Sequence, residues 1–161
     1  MRKNLEIIGL VMLAILCWIT WEALYGPDRL PARIPTHFNL AGTPDGWGPP
    51  STLLFLPIVA VVVYSLITVV SLFPSAFNYS VRVTSENRLR LQALSLQMVA
   101  WLKFDLACLF TWLQWSIIST VRCGHGRLSP LIVPFFLVVV FGTCIAHIVA
   151  MFRTARPTLK S

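Results

Sequence analysis

Charged side chains are scarce in this sequence: they make up 12% of its 161 residues, about half the share usual in a soluble domain. Hydrophobic residues make up 57%, and the mean hydropathy is +0.75. A small soluble domain exposes much of its surface, so a chain with so few charges is not expected to fold in water alone. The composition therefore indicates an integral membrane protein whose first partner is the lipid bilayer.

Sequence motifs of catalysis and cofactor binding are also missing. The sequence has no P-loop, no GxSxG, no HExxH and no histidine pair spaced for haem. Its four cysteines, Cys17, Cys108, Cys123 and Cys144, have neither CxxC nor zinc-finger spacing. The net charge is +7, but the basic residues lie between apolar runs instead of forming a stripe with interleaved aromatics. We predict no cofactor and no nucleic-acid partner, and the missing motifs favour a non-enzymatic protein.

Four apolar runs are long enough to cross a bilayer, which takes about 20 residues. They cover approximately residues 7–24, 53–73, 94–121 and 131–152. We therefore predict an all-α integral membrane fold, with four transmembrane helices in a single domain, residues 1–161. The first run follows a basic N-terminus without a small-x-small cleavage site, so we expect it to be retained as the first helix.

Basic residues are unevenly distributed between the two ends of these runs. Eight lie on the side of both termini, namely Arg2, Lys3, Arg82, Arg88, Arg90, Arg153, Arg156 and Lys160. Four lie on the other side, namely Arg29, Arg33, Arg122 and Arg127. Because basic loops remain in the cytoplasm, we predict a multi-pass protein of the cytoplasmic (inner) membrane with both termini cytoplasmic.

The Pro/Gly-rich connection between the first two runs, residues 25–51, is too long for an ordinary loop. Residues 36–40 are predicted to be extended, with His37 and Asn39 on one face. The sequence Thr43-Pro-Asp-Gly46 is a turn signal, because proline presets φ and glycine accepts a positive φ. We expect a structured loop that forms an ordered cap over the outer end of the bundle.

Within this cap, several prolines, several glycines and one histidine form a distinctive string. The string reads Leu30-Pro31-x-x-Ile34-Pro35-Thr36-His37-Phe38-Asn39-x-x-Gly42-x-Pro44-Asp45-Gly46-Trp47-Gly48. It resembles the signature of a bacterial membrane family of unknown function, a module that forms the N-terminal part of SdpI-type immunity proteins. Residues 77–88 are similar to the cytoplasmic segment that leads into helix three of stand-alone members. The resemblance implies this fold, and a role in immunity or signalling against a secreted toxin.

Polar side chains on the outer side form a first candidate site: His37, Asn39 and Asp45 in the cap, Glu22 near the outer end of the first helix, and Cys123 and His125 between the last two runs. If they converge, they suit a zinc or other transition-metal ion, or acid–base chemistry. The simpler interpretation is that His37 and Asn39 bond to the loop backbone and hold the cap together.

A second candidate site lies in the third run, where Lys103 and Asp105 interrupt the apolar sequence. Charges inside a membrane span are costly and indicate function or pairing. Counted from the inner end of each helix, Asp105 and His147 lie at similar depth. Such a pair can relay protons or bind a cation. The alternative is a structural contact between the third and fourth helices, with Lys103 snorkelling to the inner interface.

These observations predict a non-enzymatic membrane protein that recognises another membrane protein or a secreted peptide through its cap. One alternative is a structural or accessory subunit of a larger membrane complex. The other is a membrane-embedded, metal-dependent enzyme or a proton-linked transporter that uses one of the two polar sites.

Overall fold

Four long helices account for most of the chain. The computed structural model describes residues 1–79, 81–124 and 128–155. The helices are α1 (Arg2–Tyr25), α2 (Phe55–Ser71), α3 (Arg88–Cys123) and α4 (Ile132–Ala155), and α2 is preceded by a 3₁₀ turn, Pro50–Leu54. All four are long and apolar enough to cross a membrane, when α2 is counted with its preceding turn. The prediction of four membrane-spanning helices is confirmed at this level.

At the end of the bundle that carries the chain termini, α1, α3 and α4 extend past the predicted apolar runs, whereas α2 ends at Ser71, short of the predicted residue 73. α1 begins at Arg2 where Ile7 was predicted, and α3 begins at Arg88 where Leu94 was predicted. Each added stretch carries two basic residues, Arg2 and Lys3 in α1 and Arg88 and Arg90 in α3, which suit the headgroup region at the end of a spanning helix. Hydropathy therefore locates the lipid-embedded part of each helix and misses its ends.

Local sequence explains where α1 and α3 end. At the end of α1, the Gly26 N–H donates to the Glu22 carbonyl at 2.8 Å, and Pro27 has no N–H with which to continue the helix. At the end of α3, Gly124 adopts φ of 66°, the left-handed conformation that glycine accepts without strain. Both ends lie on the same side of the bundle as the cap.

The connection between α1 and α2 contains a small antiparallel sheet, so the fold is not purely α-helical. Strand β1 (Ile34–Phe38) pairs with β2 (Pro44–Gly48). The predicted turn at 43–46 is wrong in position, because Pro44, Asp45 and Gly46 lie inside β2. The chain turns at residues 39–43 instead, where the side chain of Asn39 bonds to the turn backbone.

α3 lies at the centre of the bundle and packs against α1, α2 and α4. Two ion pairs, Glu6–Lys103 and Glu22–Arg122, join α1 to α3 near opposite ends and show that the two helices are parallel. Since both helices rise about 1.5 Å per residue, this alignment leaves residues 88–98 of α3 beyond the first residue of α1. The 36-residue α3 is thus longer than the membrane is thick.

Two buried apolar clusters hold the bundle together. One lies midway along the helices (Leu13, Leu16, Ala60, Tyr64 and Ala107), and the other lies under the cap (Ala23, Ile34, Leu53 and Ile118). α4 is the least covered helix, with 6% of its most apolar stretch buried. Its outward apolar surface is what a lipid-facing helix requires.

Candidate functional site

The turn of the hairpin is organised by Asn39. Its Oδ1 accepts hydrogen bonds from the backbone N–H groups of Ala41 and Thr43, both at 3.0 Å. Its own N–H donates to the Thr43 carbonyl at 2.9 Å. Gly42 completes the turn with φ of 73°. Asn39 thus bonds to the loop backbone, and it lies beyond β1 instead of sharing a strand face with His37.

His37 and Asp45 face each other across the hairpin. The register places His37 opposite Gly46, with an irregularity on either side of it. The His37 Nδ1–H donates to Asp45 Oδ1, so His37 bonds to a side chain and not to the loop backbone. Both side chains are exposed to solvent, and a solvated pair of this kind adds little stability. It presents a polar group on the exposed surface of the cap.

The cap is attached to the helices at both of its ends. At the base, the side chain of Ile34 is completely buried among Ala23, Leu53 and Ile118. At the turn, the Leu128 N–H donates to the Gly42 carbonyl at 2.9 Å, which joins the hairpin to the segment before α4. Two attachments at opposite ends leave little freedom for the hairpin to move as a unit.

Gln114 joins the helices beneath the cap and is fully buried. Its Nε2 donates to Thr20 Oγ1 at 2.9 Å and to the Leu53 carbonyl at 3.0 Å. Because that carbonyl can only accept, the amide nitrogen must face it. The Oε1 atom is consequently left buried without a hydrogen-bond partner among the described residues. Sequence analysis missed Gln114, although a glutamine inside an apolar run is a signal of interhelical bonding.

Two clefts flank the hairpin. One of about 300 Å³ lies between β1, the start of α2 and α3, and its lining includes Thr36, His37 and Gln114. The other, of about 400 Å³, lies between the turn and the start of α4, and its lining includes Asn39 and Pro134. Phe38 lines both clefts. At the cap end of the bundle, the hairpin therefore forms a ridge between two depressions.

The predicted outer residues do not form one cluster. Glu22 pairs with Arg122, the Oε2–Nη2 distance being 2.8 Å, while His37 pairs with Asp45. His125 lies outside the described residues. In the part of the chain that the structure describes, no three His, Cys, Asp or Glu side chains come together as a metal site requires. The metal hypothesis at the outer end has no geometric support from these residues.

Asp105 links α3 to α4, as the structural interpretation of the second site anticipated, but its partner is Thr143. The Thr143 hydroxyl donates to Asp105 Oδ2 at 3.0 Å. His147 donates from Nδ1 to the Thr143 carbonyl at 2.9 Å, within its own helix. Asp105 and His147 therefore meet the same residue, and no direct hydrogen bond or ion pair joins them within the described ranges.

Lys103 lies in a polar network that joins α1, α2 and α3. Its ammonium donates to Glu6 Oε2 at 2.5 Å and to Thr68 Oγ1 at 3.2 Å. The Tyr64 hydroxyl lies 3.1 Å from Glu6 Oε2 and donates to that carboxylate. The Lys103 nitrogen also lies 4.9 Å from the centroid of the Tyr64 ring. We call the set Glu6, Tyr64, Thr68 and Lys103 the inner network.

The side chain of Lys103 is buried between the helices, and its snorkelling toward the inner interface stays a prediction. Its side chain is 1% exposed, whereas that of Glu6 is 32% exposed. A buried ammonium needs a counter-charge, and Glu6 supplies one at the same depth. Sequence analysis missed Glu6 because a carboxylate near the end of a helix is expected to face water instead of a buried partner. The available signal was that Glu6 is the single acidic residue in the inner half of α1.

Comparison with known families identifies part of the chain. Residues 12–61 match a family described as a domain of unknown function, DUF1648. A DUF1648 domain is therefore present at residues 12–61. No curated protein and no solved structure matches the chain. The DUF1648 domain includes the whole hairpin cap, most of α1 and the start of α2, whereas all four residues of the inner network lie outside it.

The Asp105–Thr143 contact makes a prediction about coupling. We expect Asp105→Leu and Thr143→Val each to lower the free energy of unfolding by about 1 kcal/mol, with no further loss in the double variant, because both remove one interhelical hydrogen bond. Asp105→Leu and His147→Ala should instead be additive. Thermal unfolding of the detergent-purified single and double variants measures both double-mutant cycles. Coupling of Asp105 to His147 but not to Thr143 would restore the proposed Asp–His pair.

Proposed function

We propose that this chain is a non-enzymatic, multi-pass protein of the cytoplasmic membrane that recognises a secreted peptide through its hairpin cap. In this proposal both termini are cytoplasmic and the cap faces outward. The role is envelope defence or signalling, as the resemblance to SdpI-type immunity proteins implies. The bundle holds the cap at the membrane surface, and the cap carries the recognition surface.

The observation that carries the proposal is a rigid cap with an exposed, mixed surface. Ile34 and Gly42 attach the hairpin to the bundle, yet Trp47 is 55% exposed and Leu40 is fully exposed. A tryptophan on a preorganised surface is the residue type most often found at the energetic centre of an interface. The His37–Asp45 pair adds a polar contact on the same hairpin.

The shape of the cap favours an extended peptide as its ligand. The sheet has two strands in the described part of the chain, so each strand has an edge without a strand partner. An added peptide strand can pair with such an edge through its backbone, while its side chains enter neighbouring pockets. The clefts on either side of Phe38 are large enough to take such side chains.

Site-specific photo-cross-linking tests this proposal. A photoreactive amino acid replaces Trp47 in full-length protein produced in intact cells, and adducts are identified by mass spectrometry. We expect a discrete peptide adduct at position 47, because Trp47 lies on the exposed cap. The same substitution at His37 should give the same adduct, since His37 lines a cleft next to the hairpin.

The matched control places the photoreactive amino acid at Val138, which is exposed on α4 and is expected to face lipid. We expect lipid adducts there. If positions 47 and 37 yielded only lipid or no adduct, the recognition proposal would fail. A membrane-protein adduct at Val138 with none at the cap would instead favour the accessory-subunit alternative.

A further inference from the structure

A cleft of about 440 Å³ opens between α1, α2 and α3 next to the inner network. Its polar lining consists of Arg2, Lys3, Glu6, Thr68, Ser71 and Lys103. Three of these side chains are cations and one is an anion, so the lining carries a net positive charge. The rest of the lining is apolar: Ile7, Leu72 and Leu96. The recognition proposal for the outer cap does not involve this cleft.

The positive charges around the cleft exceed the negative charges that the described residues place there. Glu6 is engaged by Lys103 and Tyr64. Arg2 and Lys3 have no carboxylate within ion-pair distance in the described residues, since the ion pairs found there join other side chains. Neighbouring cations repel one another, and the repulsion is relieved when an anion binds between them. The cleft is therefore electrostatically suited to an anionic group.

The cleft also lies at the depth of the phospholipid headgroups. α1 has 24 residues, which gives a length of about 36 Å, a few ångströms more than the hydrocarbon core. Arg2 and Lys3 at its first turn thus lie in the interfacial region, and Glu6 lies about one turn deeper. The apolar residues at the cleft suit the glycerol and acyl chains of a lipid, whereas a free ion makes no favourable contact with apolar side chains.

We propose that this cleft binds the phosphate of an anionic phospholipid. Arg2 and Lys3 contact the phosphate, and the apolar residues contact the start of the acyl chains. Basic pockets between transmembrane helices are a known way of holding anionic headgroups. The Glu6–Lys103 pair forms the floor of the site and prevents the headgroup from descending further between the helices.

Native mass spectrometry of the full chain in mild detergent tests the proposal. Phosphatidylglycerol or phosphatidylcholine is added, and bound lipid is counted at each concentration. We expect wild-type protein to bind phosphatidylglycerol in preference to phosphatidylcholine. Arg2→Gln/Lys3→Gln should weaken phosphatidylglycerol binding about tenfold or more. Each basic residue near an anionic lipid contributes appreciably to the binding free energy.

The matched control is Arg88→Gln/Arg90→Gln, which removes the same charge at the inner end of α3. Both residues are exposed and neither lines the cleft, so binding should stay at the wild-type level. Ser71→Trp fills the cleft and retains every charge, and it should also abolish the preference. This variant keeps the N-terminal charges that direct membrane insertion, so its result does not depend on correct folding of the Arg2/Lys3 variant.

Two results would overturn the proposal. One is an equal loss of binding in the two charge variants, which would mean general attraction to a basic surface, or no lipid preference in the wild type, which would mean that the cleft does not select an anionic headgroup. The other is displacement of the lipid by millimolar inorganic phosphate, because the cleft would then be a site for free phosphate. Photo-cross-linking at the cap is unaffected by either result, so this proposal and the recognition proposal fail separately.

Discussion

Glu6→Leu lowers the free energy of unfolding by about 3–5 kcal/mol, because it leaves the ammonium of Lys103 buried without its counter-charge. Lys103→Met costs less, about 1–2 kcal/mol, since the stranded Glu6 side chain is 32% exposed and can be hydrated through the cleft. The double variant Glu6→Leu/Lys103→Met recovers most of the loss. Thermal and denaturant unfolding in a mild detergent provide the measurement.

The Glu22–Arg122 pair at the opposite end of the same two helices is the matched control. Both of its side chains are about one-third exposed, so Glu22→Leu should cost less than about 1 kcal/mol. The comparison separates burial from ion pairing, because both pairs join α1 to α3. If Glu6→Leu were no more damaging than Glu22→Leu, the buried inner network described above would be incorrect.

Gly42→Ala detaches the turn of the cap from the segment before α4. A Cβ atom at position 42 would lie 1.8 Å from the Leu128 carbonyl oxygen, and φ there is 73°. The strain of the left-handed conformation and loss of the Leu128–Gly42 hydrogen bond together give an expected cost of about 2–4 kcal/mol. We expect a lower unfolding temperature and faster protease cleavage within residues 30–50.

Two other glycines separate backbone strain from crowding. Gly124 has φ of 66°, and no atom of the described residues lies within 4 Å of its Cβ position, so Gly124→Ala should cost only about 1 kcal/mol from strain. Gly142 lies inside α4 with open space, and Gly142→Ala should be neutral or stabilising by up to about 1 kcal/mol. Neither should alter cleavage of the cap. A Gly42→Ala variant that behaved like Gly124→Ala would show that the turn is not docked at Leu128.

For the outer candidate site, the sequence predicted which residues are polar and close together along the chain, but not which side chains they contact. The sequence singled out His37, Asn39 and Asp45 because they are polar side chains in a connection too long for an ordinary loop. It did not assign their partners, since pairing across a hairpin depends on register, and here the register contains irregularities on both sides of His37. The expected convergence with Glu22 was not found, because Glu22 has a closer cation in Arg122.

Lys103 shows the same limit inside the membrane. Its charge in an apolar run indicated a pairing or functional role, but its partner is 97 positions away in the sequence. Helical periodicity tells which residues share a face of one helix, and it contains no information about the rotation or offset of a second helix. Glu6, Tyr64 and Thr68 became neighbours of Lys103 only when three helices packed together.

Hydropathy alone predicted four helices long and apolar enough to cross a membrane, because the cost of unpaired backbone groups in lipid leaves a long apolar run no alternative to a helix. The proline and glycine positions predicted a structured loop over residues 25–51, and the structure has a two-stranded hairpin within it. Tertiary structure decided the strand pairing in the cap, the Glu6–Lys103 pair, the Asp105–Thr143 contact and the basic cleft. Each of these depends on distances between segments far apart in sequence, which are set by packing and charge complementarity in three dimensions.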